Sequence, residues 1–237
     1  MKVLGIIPSR YNSSRYPGKP LVDLKGKSMI QRVYEGALKS VKIDKLIVAT
    51  DDQRIFDEVK RFKGNVIMTE PHHQTGTDRC AEVIKKFPDY DIVINIQGDE
   101  PLVNYKQLNK LIEVFDNKKD VHIATLAIKC TDREEIENPN RIKLVCNHND
   151  VALYFSRSII PYYKNNSTHL RHIGLYAYDT KTLSEISKLS PCQIEITESL
   201  EQLRWMYYGY SIQVVETNIE TPNIDSPEDL PKVLKYL

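Results

Sequence analysis

The chain has 237 residues, and its 33 Lys and Arg against 32 Asp and Glu leave a formal charge of +1 at pH 7. Hydrophobic residues make up 41% and charged residues 27%, the mixture of a globular chain with a core to bury, which excludes intrinsic disorder. Without a global basic surplus a general nucleic-acid binder is not expected, and no run of 18 apolar residues reads as a membrane-spanning helix.

In chain order, residues 3–8, 46–50, 66–69 and 92–97 are short, β-branched and bounded by turn residues, and they read as buried strands. Between them, residues 29–39, 53–62 and 78–87 carry apolar side chains at helical spacing, and 105–115 continues the pattern. This alternation predicts a doubly wound α/β sheet of parallel strands. In the second half, residues 122–129, 142–147, 152–156, 174–178 and 212–216 are strand-like. Few helices separate the first three, so mixed or antiparallel pairing is expected there. Residues 197–208 read as one helix, and 226–236 as a closing helix with Ser226 as cap and Pro227 in its first position. No Gly/Ser linker or repeat breaks the chain, so a single domain over 1–237 is expected. The apolar run after Met1-Lys2 is too short for a secretory signal. Cys80, Cys130, Cys146 and Cys192 lack C-x-x-C spacing, which favours free thiols and a cytoplasmic location.

Four stretches carry candidate chemistry. The first, residues 8–20, follows a buried strand and holds Ser9, Arg10, Arg15 and Lys19. Cations, hydroxyls and backbone N–H groups at a strand's carboxyl end suit phosphate; a solvated loop is the plain alternative. It is not a P-loop: Gly26-Lys27-Ser28 imitates the end of one, but Leu21 stands where its first Gly belongs. No G-x-G-x-x-G occurs. The second turn, residues 95–101, sets Asp99 after a strand and a Gly, either as a ligand for a divalent cation or as an ordinary turn carboxylate. The third, residues 224–230, offers Asp225, either a second metal ligand or a carboxylate favoured by a helix start. Residues 72–79, with Gln74, Gly76, Thr77 and Arg79, suit close backbone approach to a base or ribose.

Eight strings in order carry a resemblance: PSRYNSSRYPGKPL (8–21), VATDD (48–52), MTEPHHQTGTDR (68–79), NIQGDEP (95–101), ALYFSR (152–157), RHIGLY (171–176), SLEQLR (199–204) and IDSPEDL (224–230). With them the chain resembles, nearly end to end, the 3-deoxy-manno-octulosonate (Kdo) cytidylyltransferases, the CMP-Kdo synthetases of lipopolysaccharide biosynthesis. The resemblance implies a Rossmann-like nucleotide-diphospho-sugar transferase fold, a mixed, mostly parallel sheet with helices on both faces. It also implies a cytoplasmic homodimer using Mg2+, CTP and Kdo. Residues 1–120 would mainly bind nucleotide, and 121–237 would mainly bind sugar and dimerise, the latter around 152–163. Ser9, Arg10, Arg15, Lys19, Gln74, Gly76, Thr77, Arg79 and Gln97 would hold CTP. Asp99 and Asp225 would hold the metal and, with Lys19, form the catalytic set. Gln97, Arg157, His172, Tyr176, Glu201 and Gln202 would line the sugar site. The chain departs from the family pattern at Asn12, Ser13 and Tyr16, in a short 160–169 segment, at 192–197 and at 221–223, which leaves open a related sugar acid as substrate.

Overall fold

The computed structural model describes residues 1–12, 16–118, 120–164, 167–224 and 226–237. Two of the candidate residues, Arg15 and Asp225, lie outside them. The chain forms two compact units, residues 1–109 with 220–237 and residues 110–219. Residues 220–237 thus pack with the first unit.

The first unit opens with β1 (Val3–Ser9), followed by α1 (Met29–Ala37), β2 (Lys45–Thr50), α2 (Gln53–Arg61), β3 (Val66–Met68), α3 (Gly76–Ile84) and β4 (Ile92–Asn95). Its strands are parallel in the order β3-β2-β1-β4. Every residue of β1 is buried except the half-buried Pro8, as a parallel strand covered on both faces requires. Parallel pairing brings the carboxyl ends Ser9, Thr50, Met68 and Asn95 to one edge.

The helices begin where short polar side chains satisfy free backbone donors. Ser28 caps α1 by accepting from the Gln31 N–H, and Asp52 caps α2 by accepting from that of Arg54. Thr75 and Asp78 form a reciprocal capping box at α3. In α1 the buried residues Met29, Ile30, Val33, Tyr34 and Ala37 make one apolar stripe.

Helix α4 (Tyr105–Asn117) carries the chain into the second unit. There follow β5 (Ile123–Cys130), α5 (Arg133–Glu137), β6 (Lys143–Cys146), β7 (Ala152–Ser156), β8 (His169–Asp179), α6 (Thr180–Ile186), α7 (Gln193–Glu198), α8 (Gln202–Tyr207) and β9 (Gln213–Thr217). Strand β5 pairs antiparallel with β8 and parallel with β9, while β6 pairs antiparallel with β7 and β8. The mixed pairing expected of this half is therefore present.

Three local expectations change. The single helix over 197–208 is two helices, because Ser199 adopts a left-handed φ of 52° and interrupts the ladder. Strand β8 starts five residues before 174, since its buried positions there include His169 and Arg171, which do not read as apolar. Short α5 and α6 start at Asp132 and Asp179 caps that polar sequence concealed. Residues 220–237 end in a 3-10 turn (Pro227–Asp229), whose capping box is formed by Ser226 and Asp229, and in α9 (Leu230–Leu234), shorter than the expected closing helix.

Candidate active site

At the carboxyl ends of β1 and β4, Pro8, Ser9 and Arg10 face Gln97, Gly98 and Asp99 across a cleft of about 310 Å³. Lys19 and Pro20 border it, as do His73, Gln74 and Thr75 ahead of α3, and Gly76 and Arg79 within it. Two glycines permit this convergence. A Cβ on Gly76 would stand 3.1 Å from the Pro8 ring, and one on Gly98 would stand 3.0 Å from the Pro8 carbonyl oxygen. The start of α3 and the turn after β4 therefore press on either side of the end of β1.

The best-defined polar contact in the cleft belongs to Lys19. Its Nζ donates to Asp99 Oδ2 at 2.7 Å and to the Ile224 carbonyl at 2.9 Å. The Ile224 N–H donates in turn to the Asp99 carbonyl at 3.0 Å. Three distant stretches thus meet at one cation, and the residue preceding Asp225 is bonded directly to Asp99. The side chains keep 12% (Lys19) and 29% (Asp99) exposure, so both reach solvent in the cleft. Ser9 is 5% exposed, and its Oγ has no hydrogen-bond partner among the described residues. A buried hydroxyl without a partner is costly, and at the cleft floor it fits a ligand atom.

Arg79 is 3% exposed; its guanidinium donates to Thr69 Oγ1 and, at 3.1 Å, to Asp51 Oδ2. It ties α3 to the ends of β2 and β3. Thr77 is buried, Gln97 half-buried and Arg10 exposed; Gln74 donates to the His72 carbonyl at 3.1 Å. His73 Nε2 meets Glu82 Oε2 at 2.5 Å. Burial pushes the Glu82 carboxyl up, but hydrogen bonds from His73 and the Glu70 N–H outweigh it and hold it below the usual range. The His73 ring is thus committed to Glu82. Among the described residues no group of three or more His, Cys, Asp or Glu is arranged to hold a metal ion.

The second unit holds Arg157, His172, Tyr176, Glu201 and Gln202. His172 Nε2 lies 2.9 Å from Thr125 Oγ1, and its ring packs against Phe155 and Tyr176 at 5.2 and 5.3 Å. Burial, and secondarily the Arg171 charge, pulls its pKa down to about 3, so the ring is neutral at physiological pH. Burial, then the nearby Glu201 charge, pushes the Tyr176 hydroxyl well up. Trp205 of α8 packs edge-on against Tyr176 at 5.2 Å, which brings the α8 start, with Glu201 and buried Gln202, to the His172–Tyr176 pair.

Arg157 belongs to a different cluster. Its Nε donates to the Glu198 carbonyl at 2.6 Å, and its terminal nitrogens to the Pro139 and Ser199 carbonyls. The Glu198 carboxylate accepts from Ser156 Oγ at 2.7 Å and from the Arg157 N–H at 2.8 Å. Lys143, 1% exposed, donates to the Asn138, Arg141 and Arg157 carbonyls at 3.0, 2.6 and 2.6 Å. Neither Lys143 nor Glu198 belongs to a motif, and only the fold joins them to Arg157.

The model of the family described as cytidylyltransferase matches residues 4–215. The chain is 50% identical to a 3-deoxy-manno-octulosonate cytidylyltransferase of Fusobacterium nucleatum, covering 100% of this chain and 97% of that one. It is 48% identical to one of Parabacteroides distasonis, covering 100% and 98%. A solved structure of CMP:2-keto-3-deoxy-manno-octonic acid synthetase complexed with CTP matches with a TM-score of 0.95 at 42% identity, covering 100% of this chain and 98% of that one. The fold is an α/β fold of the nucleotide-diphospho-sugar transferase type, with mixed, mostly parallel strands. The chain belongs to the cytidylyltransferase family, and within it to the 3-deoxy-manno-octulosonate cytidylyltransferases.

Proposed function

We propose that the chain transfers CMP from CTP to the anomeric hydroxyl of 3-deoxy-D-manno-octulosonate and releases diphosphate, activating the sugar for lipopolysaccharide synthesis. The observation that carries this reading is the cleft where Lys19 pairs with Asp99 beside a buried Ser9 hydroxyl that has no partner among the described residues, in a chain so alike along its whole length to such enzymes.

The acceptor oxygen attacks the α-phosphorus. A new P–O bond forms, the bond to the α,β-bridging oxygen breaks, and diphosphate leaves with that electron pair while the hydroxyl proton is lost. Both substrates are anionic, so their approach requires compensating charge in a cleft of reduced dielectric. Lys19, Arg10 and Arg15 supply it and stabilise charge that moves onto the leaving group. Ser9, Gln74, Gly76, Thr77 and Gln97 orient the nucleotide, and Arg79 both lines the cleft and holds the α3 start in place. Arg157, His172, Tyr176, Glu201 and Gln202 are assigned to the sugar acid, together with Gln97. Because His172 is neutral, we assign it to hydroxyls of the sugar acid rather than to the carboxylate; Arg157 would take the carboxylate by exchanging one of its carbonyl contacts.

Mg2+ fits the donors present. Asp99 brings a partly exposed carboxylate into the cleft, and Mg2+ takes one or two carboxylates together with substrate phosphates. Asp99 and Asp225 would hold it, and when bound it would neutralise phosphate charge and polarise the reacting phosphoryl group.

Among the described residues no helix is long and apolar enough to cross a membrane, and we assign the protein to the cytoplasm. We also propose a homodimer through residues 152–163, where Leu153 and Tyr162 are 57% and 86% exposed. The deciding experiment measures diphosphate release with each of four nucleoside triphosphates against a panel of sugar acids. CTP with Kdo should give the highest kcat/KM. Preference for an 8-amino analogue would move the assignment to that acid, and no CTP-dependent release would overturn it.

A further inference from the structure

The loop that carries the first cluster of cations is closed at its neck. The Gly18 N–H donates to the Tyr11 carbonyl at 2.9 Å. Arg10 precedes this closure and Lys19 follows it, so the bond holds close together the stretches that carry two of the cations lining the cleft. The Tyr11 ring lies over the same neck. A Cβ on Gly18 would meet its Oη, Cζ and Cε2 at 3.0, 3.1 and 3.2 Å, and Gly18 has a φ of +73°, which any side chain would strain. On the Tyr11 ring also rests the guanidinium of Arg54, 3.3 Å from its centroid.

Arg54 is itself held. Its Nε and a terminal nitrogen donate to the two oxygens of Asp52 at 3.0 and 2.7 Å. Asp52 is fixed in turn as the cap of α2, through the Arg54 N–H at 2.9 Å. A planar guanidinium forked onto a carboxylate presents its face to an aromatic ring, which an ammonium cannot do. The chain of contacts runs from the end of β2 through Asp52 and Arg54 to Tyr11 and the loop neck.

We infer that Tyr11 and Arg54 are positioning residues for the triphosphate: the Asp52–Arg54–Tyr11 stack pins the loop neck, and with it Arg10 and Lys19, at the cleft. Neither side chain has to touch the nucleotide. The inference rests on the reading of this cleft as the CTP site and extends it to residues outside the cleft lining.

The test is a double-mutant cycle on the full chain, with CTP affinity measured by calorimetry and steady-state KM measured separately for CTP and Kdo. Arg54→Ala and Tyr11→Ala should each weaken CTP about three- to tenfold, in keeping with one partly exposed cation–π contact. The Kdo KM should stay within twofold, and the double variant should lose little more than either single one. Tyr11→Phe keeps the ring and should retain most of the affinity, whereas Arg54→Lys, which lacks the planar fork, should behave like Arg54→Ala. Unchanged CTP affinity in Arg54→Ala, fully additive losses, or equal losses for CTP and Kdo would each overturn the inference. If the wild-type chain itself failed to bind CTP, the reading of the cleft would fall instead, and the calorimetry of the unmutated protein separates the two failures.

Discussion

At Lys19 one ammonium satisfies a carboxylate and a backbone carbonyl that lie 80 and 205 residues along the chain. Replacing Asp99 by Asn keeps the shape of that contact and removes the charge. Diphosphate release should fall below about 1% of the wild-type rate, as loss of a carboxylate proposed to hold the metal predicts, while the melting temperature should change little; near-normal turnover would remove Asp99 from the chemistry. His172 makes a separate prediction. Its folded-state pKa of about 3 lies below the ordinary 6.5, so protons bind the unfolded chain more tightly. The stabilisation is complete above the ordinary value and is lost as pH falls toward the folded one. From neutrality to about pH 5 this group should cost about 1–2 kcal/mol of unfolding free energy. Urea titrations at both pH values should show a smaller fall in His172→Gln. Arg10, Lys19 and Asp99 are legible in the sequence because each sits in a polar string next to a buried strand. The partners of Arg79 are not, since Asp51 and Thr69 come from the ends of two other strands.

Among the elements, β1, β2 and β4 declare themselves, because strands covered on both faces are unbroken apolar runs. The first half of β8 does not, because His169 and Arg171 occupy its buried positions and reverse the usual pattern. The break between α7 and α8 is equally hidden: Ser199 is an ordinary residue in an unusual conformation. Where β6, β7 and α7 come together, Lys143 gives its three donors to three carbonyls in a buried setting. Burial first, and then the Arg157 charge, pulls its pKa down while Glu198 opposes them. Lys143→Met should fill the same space but leave those acceptors bare, at a cost of about 2–3 kcal/mol in chemical denaturation. A variant as stable as wild type would show that water replaces the ammonium.

For the molecule as a whole, ligand linkage offers a check that needs no turnover. CTP at about one hundred times its Kd should raise the unfolding free energy by about 2.7 kcal/mol, visible as a shift in thermal melting, and the shift should be much smaller in Lys19→Ala. The proposed homodimer predicts a light-scattering mass twice the 27.4 kDa of one chain; a mass of one chain would exclude a stable dimer under those conditions.

The return of residues 220–237 to the first unit has a consequence in time. Residues 1–109 are synthesised early and contain the β1, β2, β3 and β4 strands, yet the bonds of Ile224 to Lys19 and Asp99 close only when the last segment has emerged. A growing chain therefore carries its cations and its carboxylate before it can fix their geometry. A chain cut after Ile219 should therefore keep Lys19 and Asp99 without the bonds that Ile224 makes to them, and should bind CTP more weakly than the full chain in calorimetry.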